Sequence, residues 1–215
     1  AVPEDALFAN GLTGHEMHNV YPLLYNQASF EVTAQERGES VVWGRSGYAG
    51  SQRYPLNWVG DSPISFAGMA AALRAVLSLG LSGIPFASHD IGGFWSPAGP
   101  AALTPPLYIR WAQFGLLSSH ARFHGIGPRE PWAYGDEAVA VVREFARLRY
   151  RLLPYLWALA REASEVGAPV VRPMCLEFPD DPVASGLDRQ YMLGPSLLVA
   201  PVFNDEGRCR VYLPA

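Results

Sequence analysis

Short apolar runs alternate with helical patterns along most of this chain of 215 residues, and that alternation limits the folds open to it. The runs SVVWGR, PLNWVGD and GIPFASHD are typical of strands, whereas SFAGMAAALRAVLSLGLSG is apolar on nearly every side, as expected of a buried helix. Strands that alternate with helices predict a parallel sheet with right-handed crossovers, either open or closed into a barrel. Periodicity alone does not choose between these two forms.

Helical patterns flank this region on both sides. The amino-terminal pattern begins with Thr13 and Glu16 at capping-box spacing, and Pro22 should kink or end a helix that passes through it. Further helices are predicted over LTPPLYIRWAQFGLLSSH and over Asp136–Glu165, the second interrupted at Pro154. The gap between SVVWGR and PLNWVGD is too short for a crossover helix and predicts a loop. We expect PVVRPM to be a fourth strand, and PSLLVAPVF with CRVYLP to begin an antiparallel sheet.

Composition excludes several common functions. All 16 basic side chains are arginine, so no lysine is present for a Schiff base, for pyridoxal phosphate or for a phosphate-binding P-loop. The net charge is -4 and no block of like charge is present, so the sequence shows no basic patch that would bind nucleic acid or an anionic membrane. No apolar run is long enough to span a bilayer. We therefore expect neither nucleic acid nor a membrane as a partner.

Cysteines and histidines give no metal pattern. Cys175 and Cys209 have the spacing of neither a zinc pair nor a disulfide framework, which favours a reducing compartment, and we expect a cytoplasmic protein. His120 and His124 lie four residues apart, a spacing that can place two imidazoles on one helix face, but no third ligand is evident. We predict no metal and no other cofactor.

Polar side chains follow three consecutive predicted strands. Arg45, Asp61 and the pair His89 and Asp90 each come directly after an apolar run. In parallel α/β folds the ligand site forms at the carboxyl ends of the strands, so these groups should converge on one face. The alternative for each of them singly is a strand-ending turn or a helix cap, where aspartate is common. Aromatic residues crowd the same regions, and aromatic faces beside carboxylates and arginine suit a sugar, although most of these aromatics are equally expected in a core.

Five segments together resemble successive blocks of glycoside hydrolase family 31, and most of all its α-xylosidase branch: WGRSGYAGSQRYPLNWVGD, GLSGIPFASHDIGGF, RWAQFGLLSSHARFHG, PWAY and LDRQYMLGPSLLVAPVF. The resemblance implies the C-terminal half of a (β/α)8 TIM barrel over residues 1–194, followed by the first strands of a β-sandwich domain over residues 195–215. It also implies a retaining glycoside hydrolase that cleaves terminal α-linked sugars. An α-xylosidase is expected first and an α-glucosidase next, with an α-xyloside or α-glucoside oligosaccharide as the substrate.

The resemblance assigns roles residue by residue. Asp61 in NWVGD matches the general acid/base, which protonates the departing oxygen and then activates water, and such a group needs a partly apolar setting to hold its proton. Trp58 would form the wall beside it, and His89 is left as a structural residue. The matches to the subsite for the cleaved sugar all carry hydrogen-bonding side chains, and they are Arg45, Asp90, His124 and, as a further candidate, Arg122.

The second carboxylate of a retaining glycosidase has no match in this chain. Such enzymes need a nucleophile about 5 Å from the acid/base, and the family places it on a strand that would precede Ala1; Glu4 and Asp5 do not match its motif. We count about half of the barrel strands, so we expect a piece of an enzyme that is inactive alone. The alternative is a non-catalytic carbohydrate-binding or interaction module. Whether the full-length enzyme is a homo-oligomer stays open.

Overall fold

The computed structural model describes residues 2–214, which form two compact units, one ending at Asn57 and one beginning at Trp58. The first unit begins with α1 (Gly14–Met17), whose predicted capping box is confirmed, because the side chains of Thr13 and Glu16 each accept a hydrogen bond from the backbone of the other. The longer α2 (Val20–Arg37) follows. Pro22 neither kinks nor ends it, since the helix starts afresh at Val20 and the proline lies in its first turn, where a missing N–H is tolerated.

The run SVVWGR forms no regular strand. Gly44 makes an isolated parallel bridge with Asn57, and the side-chain nitrogen of Asn57 donates to the carbonyl of Gly44 at 3.2 Å. The chain between them turns through the short 3-10 helix Ser51–Arg53, which confirms the predicted loop in place of a crossover helix. Asn26, buried on α2, donates to the carbonyl of Ser46 at 3.0 Å and so anchors the segment after Gly44 to that helix.

Four strands of two residues each carry the candidate site: β1 (Asn57–Trp58), β2 (Ala87–Ser88), β3 (Asp90–Ile91) and β4 (Arg122–Phe123). They form two-stranded sheets, β1 with β2 and β3 with β4, and the second sheet is parallel, with Asp90 opposite Arg122. Asp90 therefore lies within a strand, although the sequence predicted that it would come directly after one. Arg122 lies on a strand that the sequence did not predict.

Helices pack against these strands and supply most of the core of the second unit. The core includes Met69, Leu73, Ile91 and Trp111, each fully buried. The helical pattern after residue 135 breaks at Leu152, so that Pro154 falls in the first turn of the next helix, as its missing N–H requires. The four helices are α3 (Phe66–Leu81), α4 (Pro105–Leu116), α5 (Asp136–Arg151) and α6 (Leu153–Val166).

The last part of the chain forms an antiparallel sheet. Its strands are β5 (Val171–Pro173), β6 (Tyr191–Leu193) and β7 (Leu197–Val199), in that order, and the short α7 (Met174–Glu177) follows β5. We had counted PVVRPM as a barrel strand. This prediction was wrong, because the segment pairs antiparallel with β6. Its beginning is hydrogen-bonded to the segment before β2, where the N–H of Val170 donates to the carbonyl of Pro85 at 3.1 Å.

The segment CRVYLP forms no strand within residues 2–214. The side-chain amide of Gln190 instead pairs with the backbone of Tyr212, donating to its carbonyl at 2.8 Å and accepting from its N–H at 2.9 Å. This pairing joins the end of the described chain to the residue before β6. None of the helices in the described part of the chain has both the length and the apolar character to cross a membrane.

Candidate active site

Asp61 lies three residues after the end of β1. Gly60 takes φ +81°, a conformation open to glycine at little cost, and the chain beyond it alternates in burial. Asp61 and Pro63 are exposed, whereas Ser62 and Ile64 are buried. The partly apolar setting that we predicted for the Asp61 carboxylate concerns the whole enzyme and stays a prediction.

Asp90 is the most deeply buried charge of the site. It is 0% exposed, and its Oδ1 atom accepts a hydrogen bond from Nε of Arg122 at 2.8 Å. The same guanidinium lies over the ring of Trp58, 4.7 Å from its centroid, in a cation–π contact. Arg122 thus joins the carboxylate of β3 to the indole of β1. These contacts allow Arg122 to position both side chains, and the sugar contact that we predicted for it stays a prediction.

The electrostatics around Asp90 link it to two neighbouring loops. Burial raises the pKa of Asp90 above its ordinary value; Arg122 and His124 act in the opposite direction, and the negative charge of Asp61 adds to the increase. The charges of Asp61 and His124 are thus both within electrostatic reach of Asp90. Its Oδ2 atom is buried and has no hydrogen-bond donor among residues 2–214. A sugar hydroxyl could satisfy this oxygen only if the side chains around it move.

Backbone hydrogen bonds tie the loops after β1, β3 and β4 to one another. The N–H of Phe94 donates to the carbonyl of Ser62 at 2.7 Å, and the N–H of Ile64 donates to the carbonyl of Trp95 at 2.8 Å. Phe94 in turn accepts from the N–H of Ile126 at 2.8 Å. We call these three bonds the loop lacing. Through it, the segments that carry Asp61, Trp95 and His124 hold fixed positions.

Gly93 allows the laced segments to approach closely. It takes φ +72°, and a Cβ atom there would lie 3.0 Å from the Cα of Ile64, from the carbonyl oxygen of Pro63 and from the ring of Trp111. Contacts this short are tighter than ordinary packing allows, so the neighbours would have to shift by a few tenths of an ångström. A residue with a Cβ atom would force these segments apart.

His124 is exposed and lies beside an aromatic ring that the sequence did not single out. Its imidazole is 5.5 Å from the ring of Phe94, at an interplanar angle of 33°. The sequence did predict His124 as a group that binds hydroxyls, but it placed Phe94 only in a general aromatic cluster. The signal for Phe94 was its position after two glycines, which bring its backbone into the loop lacing.

His89, adjacent to Asp90, takes a structural role, as we predicted. Its Nδ1 atom accepts a hydrogen bond from Nε1 of Trp111 at 3.0 Å, and its ring stacks on Phe114 with centroids 4.1 Å apart. Burial lowers the pKa of His89 to about 3, so the ring is neutral and carries its proton on Nε2. His89 therefore packs in the core and leaves the ligand chemistry to its neighbours.

Arg45 belongs to the first unit, where it is exposed directly after Gly44. Its part in a sugar subsite stays a prediction. Within residues 2–214 no three side chains of His, Cys, Asp or Glu form a group that could hold a metal ion. Of the predicted site residues, the second unit brings together Trp58, Asp61, Asp90, Arg122 and His124.

The site thus contains an exposed carboxylate, a buried carboxylate paired with arginine, and aromatic rings. They lie at the ends of short strands, which is the position of ligand sites in α/β barrels. Two family models match the chain: the glycosyl hydrolases family 31 TIM-barrel domain over residues 2–159 and the glycosyl hydrolase family 31 C-terminal domain over residues 167–215. The chain belongs to glycoside hydrolase family 31. The two matches divide it between residues 159 and 167, ahead of β5.

Relatives in the family carry glycosidase names. An α-xylosidase of Emericella nidulans is 45% identical over 96% of this chain, which spans 26% of that relative. Among solved structures, the cycloalternan-forming enzyme of Listeria monocytogenes in complex with a pentasaccharide substrate superposes with a TM-score of 0.90 at 32% identity, over 98% of this chain and 21% of its own. A GH31 α-xylosidase from a soil metagenome, complexed with xylose, superposes with a TM-score of 0.86 at 34% identity, over 97% of this chain and 34% of its own. The chain thus spans about a quarter of its curated relative.

Proposed function

We propose that this chain is part of a longer retaining α-glycosidase in which Asp61 is the general acid/base. An α-xylosidase is the first choice because the relative of highest identity named above is one, and an α-glucosidase is the second because other curated relatives carry that name. The observation that carries the proposal is geometric: the segment after Asp61 is hydrogen-bonded to the loop after Asp90 through Ser62 and Phe94 at 2.7 Å, and the ring of Phe94 lies 5.5 Å from that of His124.

Asp61 would act twice in this reaction. Its carboxylic acid protonates the departing glycosidic oxygen, and its carboxylate then takes a proton from the water that releases the sugar. Its exposed position suits both steps, because leaving group and water arrive from solvent. The nucleophile that forms the glycosyl intermediate is supplied, in this proposal, by a segment of the longer protein outside this chain.

The cleaved sugar would lie between the rings and the buried charge. Asp90 and His124 would bind its hydroxyls, and Trp58 would pack against its C–H face. Arg122 would hold Asp90 and Trp58 in place through its contacts with both, beside any contact of its own with the sugar. Because Asp90 is wholly buried, its contact with a hydroxyl requires that neighbouring side chains shift when the sugar binds.

Replacement of Asp61 by alanine in the full-length protein that contains this chain tests the proposal. Hydrolysis of glycosides with poor leaving groups should fall by about 100-fold or more, and that of activated aryl α-xylosides and α-glucosides much less, because these leave without protonation. Azide, a nucleophile that needs no base, should partly restore turnover and yield a glycosyl azide. The exposed Asp205 offers a control, and Asp205→Ala should leave both rates unchanged. Equal losses on both substrates, with no azide effect, would exclude Asp61 from the role.

We also propose a compartment, a class of partner and a domain boundary for this protein. Cys175 and Cys209 are both free thiols, which supports a cytoplasmic protein. The net charge of -4 supports a small carbohydrate, and not nucleic acid, as the partner. The antiparallel pairing of β5 favours a domain boundary before that strand, although we had expected one at residue 194. Light scattering on the full-length protein would give its oligomeric state.

A further inference from the structure

Arg129 is a buried cation that the proposed mechanism does not use. It is 7% exposed and lies in the loop after β4, five residues beyond His124. Within residues 2–214 its guanidinium donates only to backbone carbonyls and forms no ion pair with a carboxylate. The carboxylate of Glu130 accepts from the backbone N–H of Arg129 instead, at 3.0 Å. A charge that is buried in this way is costly to the fold, so its contribution must come from the positions that its hydrogen bonds fix.

The hydrogen bonds of Arg129 join the loop after β3 to the loop after β4. Nη2 donates to the carbonyl of Gly93 at 2.7 Å. Nη1 donates to the carbonyls of Ile126 at 2.9 Å and Pro128 at 2.8 Å. We call these three bonds the Arg129 clamp. A planar guanidinium holds several acceptors in fixed directions, which a flexible ammonium group does not.

Two glycines bring the clamp against the segments of both predicted sugar-binding residues. Gly125 directly follows His124, and a Cβ atom there would overlap Nη2 of Arg129. Gly92 lies two positions after Asp90, and a Cβ atom there would lie 3.0 Å from Nε. The guanidinium therefore fills the space between the backbone that follows Asp90 and the backbone that follows His124.

The clamp also fixes the ring contact of His124. Phe94 directly follows the clamped Gly93, and its ring lies 5.5 Å from that of His124. His124 itself lies two residues before the clamped Ile126. Both members of this ring pair are thus within two positions of a carbonyl that Arg129 holds.

Arg149 makes a contact of the same kind on the other side of β4. Its Nη1 donates to the carbonyls of Leu116 at 2.9 Å and Ser118 at 2.7 Å, and its Nη2 donates to that of Ser119 at 3.0 Å. These carbonyls precede β4 in the chain, whereas the Arg129 clamp follows it. Ligand sites in parallel α/β folds form at the carboxyl ends of strands, so only Arg129 is on the side of the site.

We propose that Arg129 is a positioning residue, which holds His124 and Phe94 in the geometry that binds the cleaved sugar. This inference rests on the proposed function of His124 as a partner of sugar hydroxyls. Arg129 touches neither the sugar nor the reacting bond and acts through His124. Without the clamp, the imidazole no longer has one fixed position relative to the loop after β3.

The test is a double-mutant cycle in the full-length protein, measured by calorimetry with the tighter of a xylose-like and a glucose-like aza-sugar. Arg129→Met keeps the length of the side chain but removes its donors, and it should weaken binding about 10-fold. In a His124→Ala background the same change should weaken binding less than about twofold, because no imidazole is left to position. Arg149→Met removes a matched set of donors before β4 and should change affinity by less than about twofold in either background.

Amide hydrogen exchange separates local positioning from general stability. The N–H groups of Phe94 and Ile126 belong to the loop lacing. Relative to the core amides of α4, they should exchange about 10-fold faster in Arg129→Met than in Arg149→Met. Arg129→Lys keeps the charge but not the planar group, so its affinity and exchange should lie between those of the wild type and Arg129→Met.

The outcomes separate the two proposals. Equal losses of affinity from Arg129→Met with and without His124, or no loss in either, would overturn the positioning role and leave the glycosidase standing. A wild-type protein that binds neither aza-sugar would overturn the proposed function and the positioning role with it. If Arg129→Met fails to fold, Arg129→Lys decides in the same cycle. A loss of about threefold that disappears in His124→Ala is then expected, and an additive loss would overturn the role.

Discussion

Arg122 lies opposite Asp90 in the parallel pair of β3 and β4 and donates from Nε to its carboxylate at 2.8 Å, so the most buried charge of the site depends on a side chain that is 28% exposed. The arginine reaches solvent at one edge and the ring of Trp58 at its face. This geometry makes Arg122 a link between two walls of the site, and its removal should disturb both.

Arg122→Gln should therefore destabilise the protein. It leaves the buried carboxylate of Asp90 without its cation, and we expect a loss of roughly 2–4 kcal/mol in the free energy of unfolding near neutral pH. The loss should shrink in acid, because Asp90, whose pKa is already raised by burial, then accepts a proton. Arg122→Lys should fall between wild type and Arg122→Gln, since it keeps the charge but loses the planar contact with Trp58. Urea unfolding of the three proteins at several pH values measures these free energies. An Arg122→Gln variant as stable as the wild type would show that Arg122 does not link Asp90 to Trp58.

His89 should make the protein sensitive to mild acid. Its pKa is lowered to about 3 in the folded state, whereas an unfolded histidine takes up its proton near 6.5. The unfolded state therefore binds more protons between these values, and His89 costs stability as pH falls through this window, by at most about 1.4 kcal/mol per pH unit. His89→Gln should remove that slope, with the Gln oxygen as a substitute acceptor for Trp111.

Asp90 affects stability in the opposite direction. The free energy of unfolding is therefore measured at each pH for both the wild type and His89→Gln. Because the pKa of Asp90 is raised on folding, its contribution to stability is lost as pH rises. Subtracting the unfolding free energies of His89→Gln from those of the wild type cancels the pH dependence that comes from Asp90, which both proteins share. Parallel curves from pH 7 to pH 5 would show that His89 does not titrate as described.

Gly93 and Gly99 form a matched pair for testing the close approach of the laced loops. Both take a positive φ, +72° and +71°, but a Cβ atom on Gly99 meets nothing within 4 Å. An alanine at either position pays a backbone cost of about 1–2 kcal/mol. Gly93→Ala adds steric overlap and should lose about 1–3 kcal/mol more than Gly99→Ala. Thermal unfolding of both variants measures the difference, and equal losses would mean that the loops yield easily.

Three side chains should contribute to sugar affinity. His124→Ala and Arg45→Ala each remove one predicted partner of a ligand hydroxyl, and Asp90→Asn removes the negative charge of a third. Each change should weaken a monosaccharide-like aza-sugar inhibitor by about 1–3 kcal/mol. Arg37→Ala, at the exposed end of α2, serves as the control and should bind as wild type does. Calorimetry on folded variants provides the measurement. A variant with unchanged affinity would remove that residue from the subsite.

The sequence predicted those elements whose signals are local. The capping box of Thr13 and Glu16, the loop in place of a crossover helix, and the helices around Trp111 depend on spacing, length and apolar pattern. Family resemblance then supplied the roles that no single pattern gives, with Asp61 the clearest case.

The missed features depend on partners far apart in the chain. β4 is two residues long and begins with Arg122, so neither length nor hydrophobicity reveals a strand; only its pairing with Asp90, 32 residues away, does so. PVVRPM has the composition of a buried parallel strand, but its pairing was decided by β6, which lies beyond α7.

The loop lacing is made only of backbone atoms: N–H and carbonyl groups of Ser62, Ile64, Phe94, Trp95 and Ile126. Bonds of this kind do not depend on which side chains the residues carry. The outward positions can therefore be exchanged one at a time while the scaffold beneath them keeps its shape. A mutant library confined to the exposed positions of these segments should therefore fold largely as the wild type does.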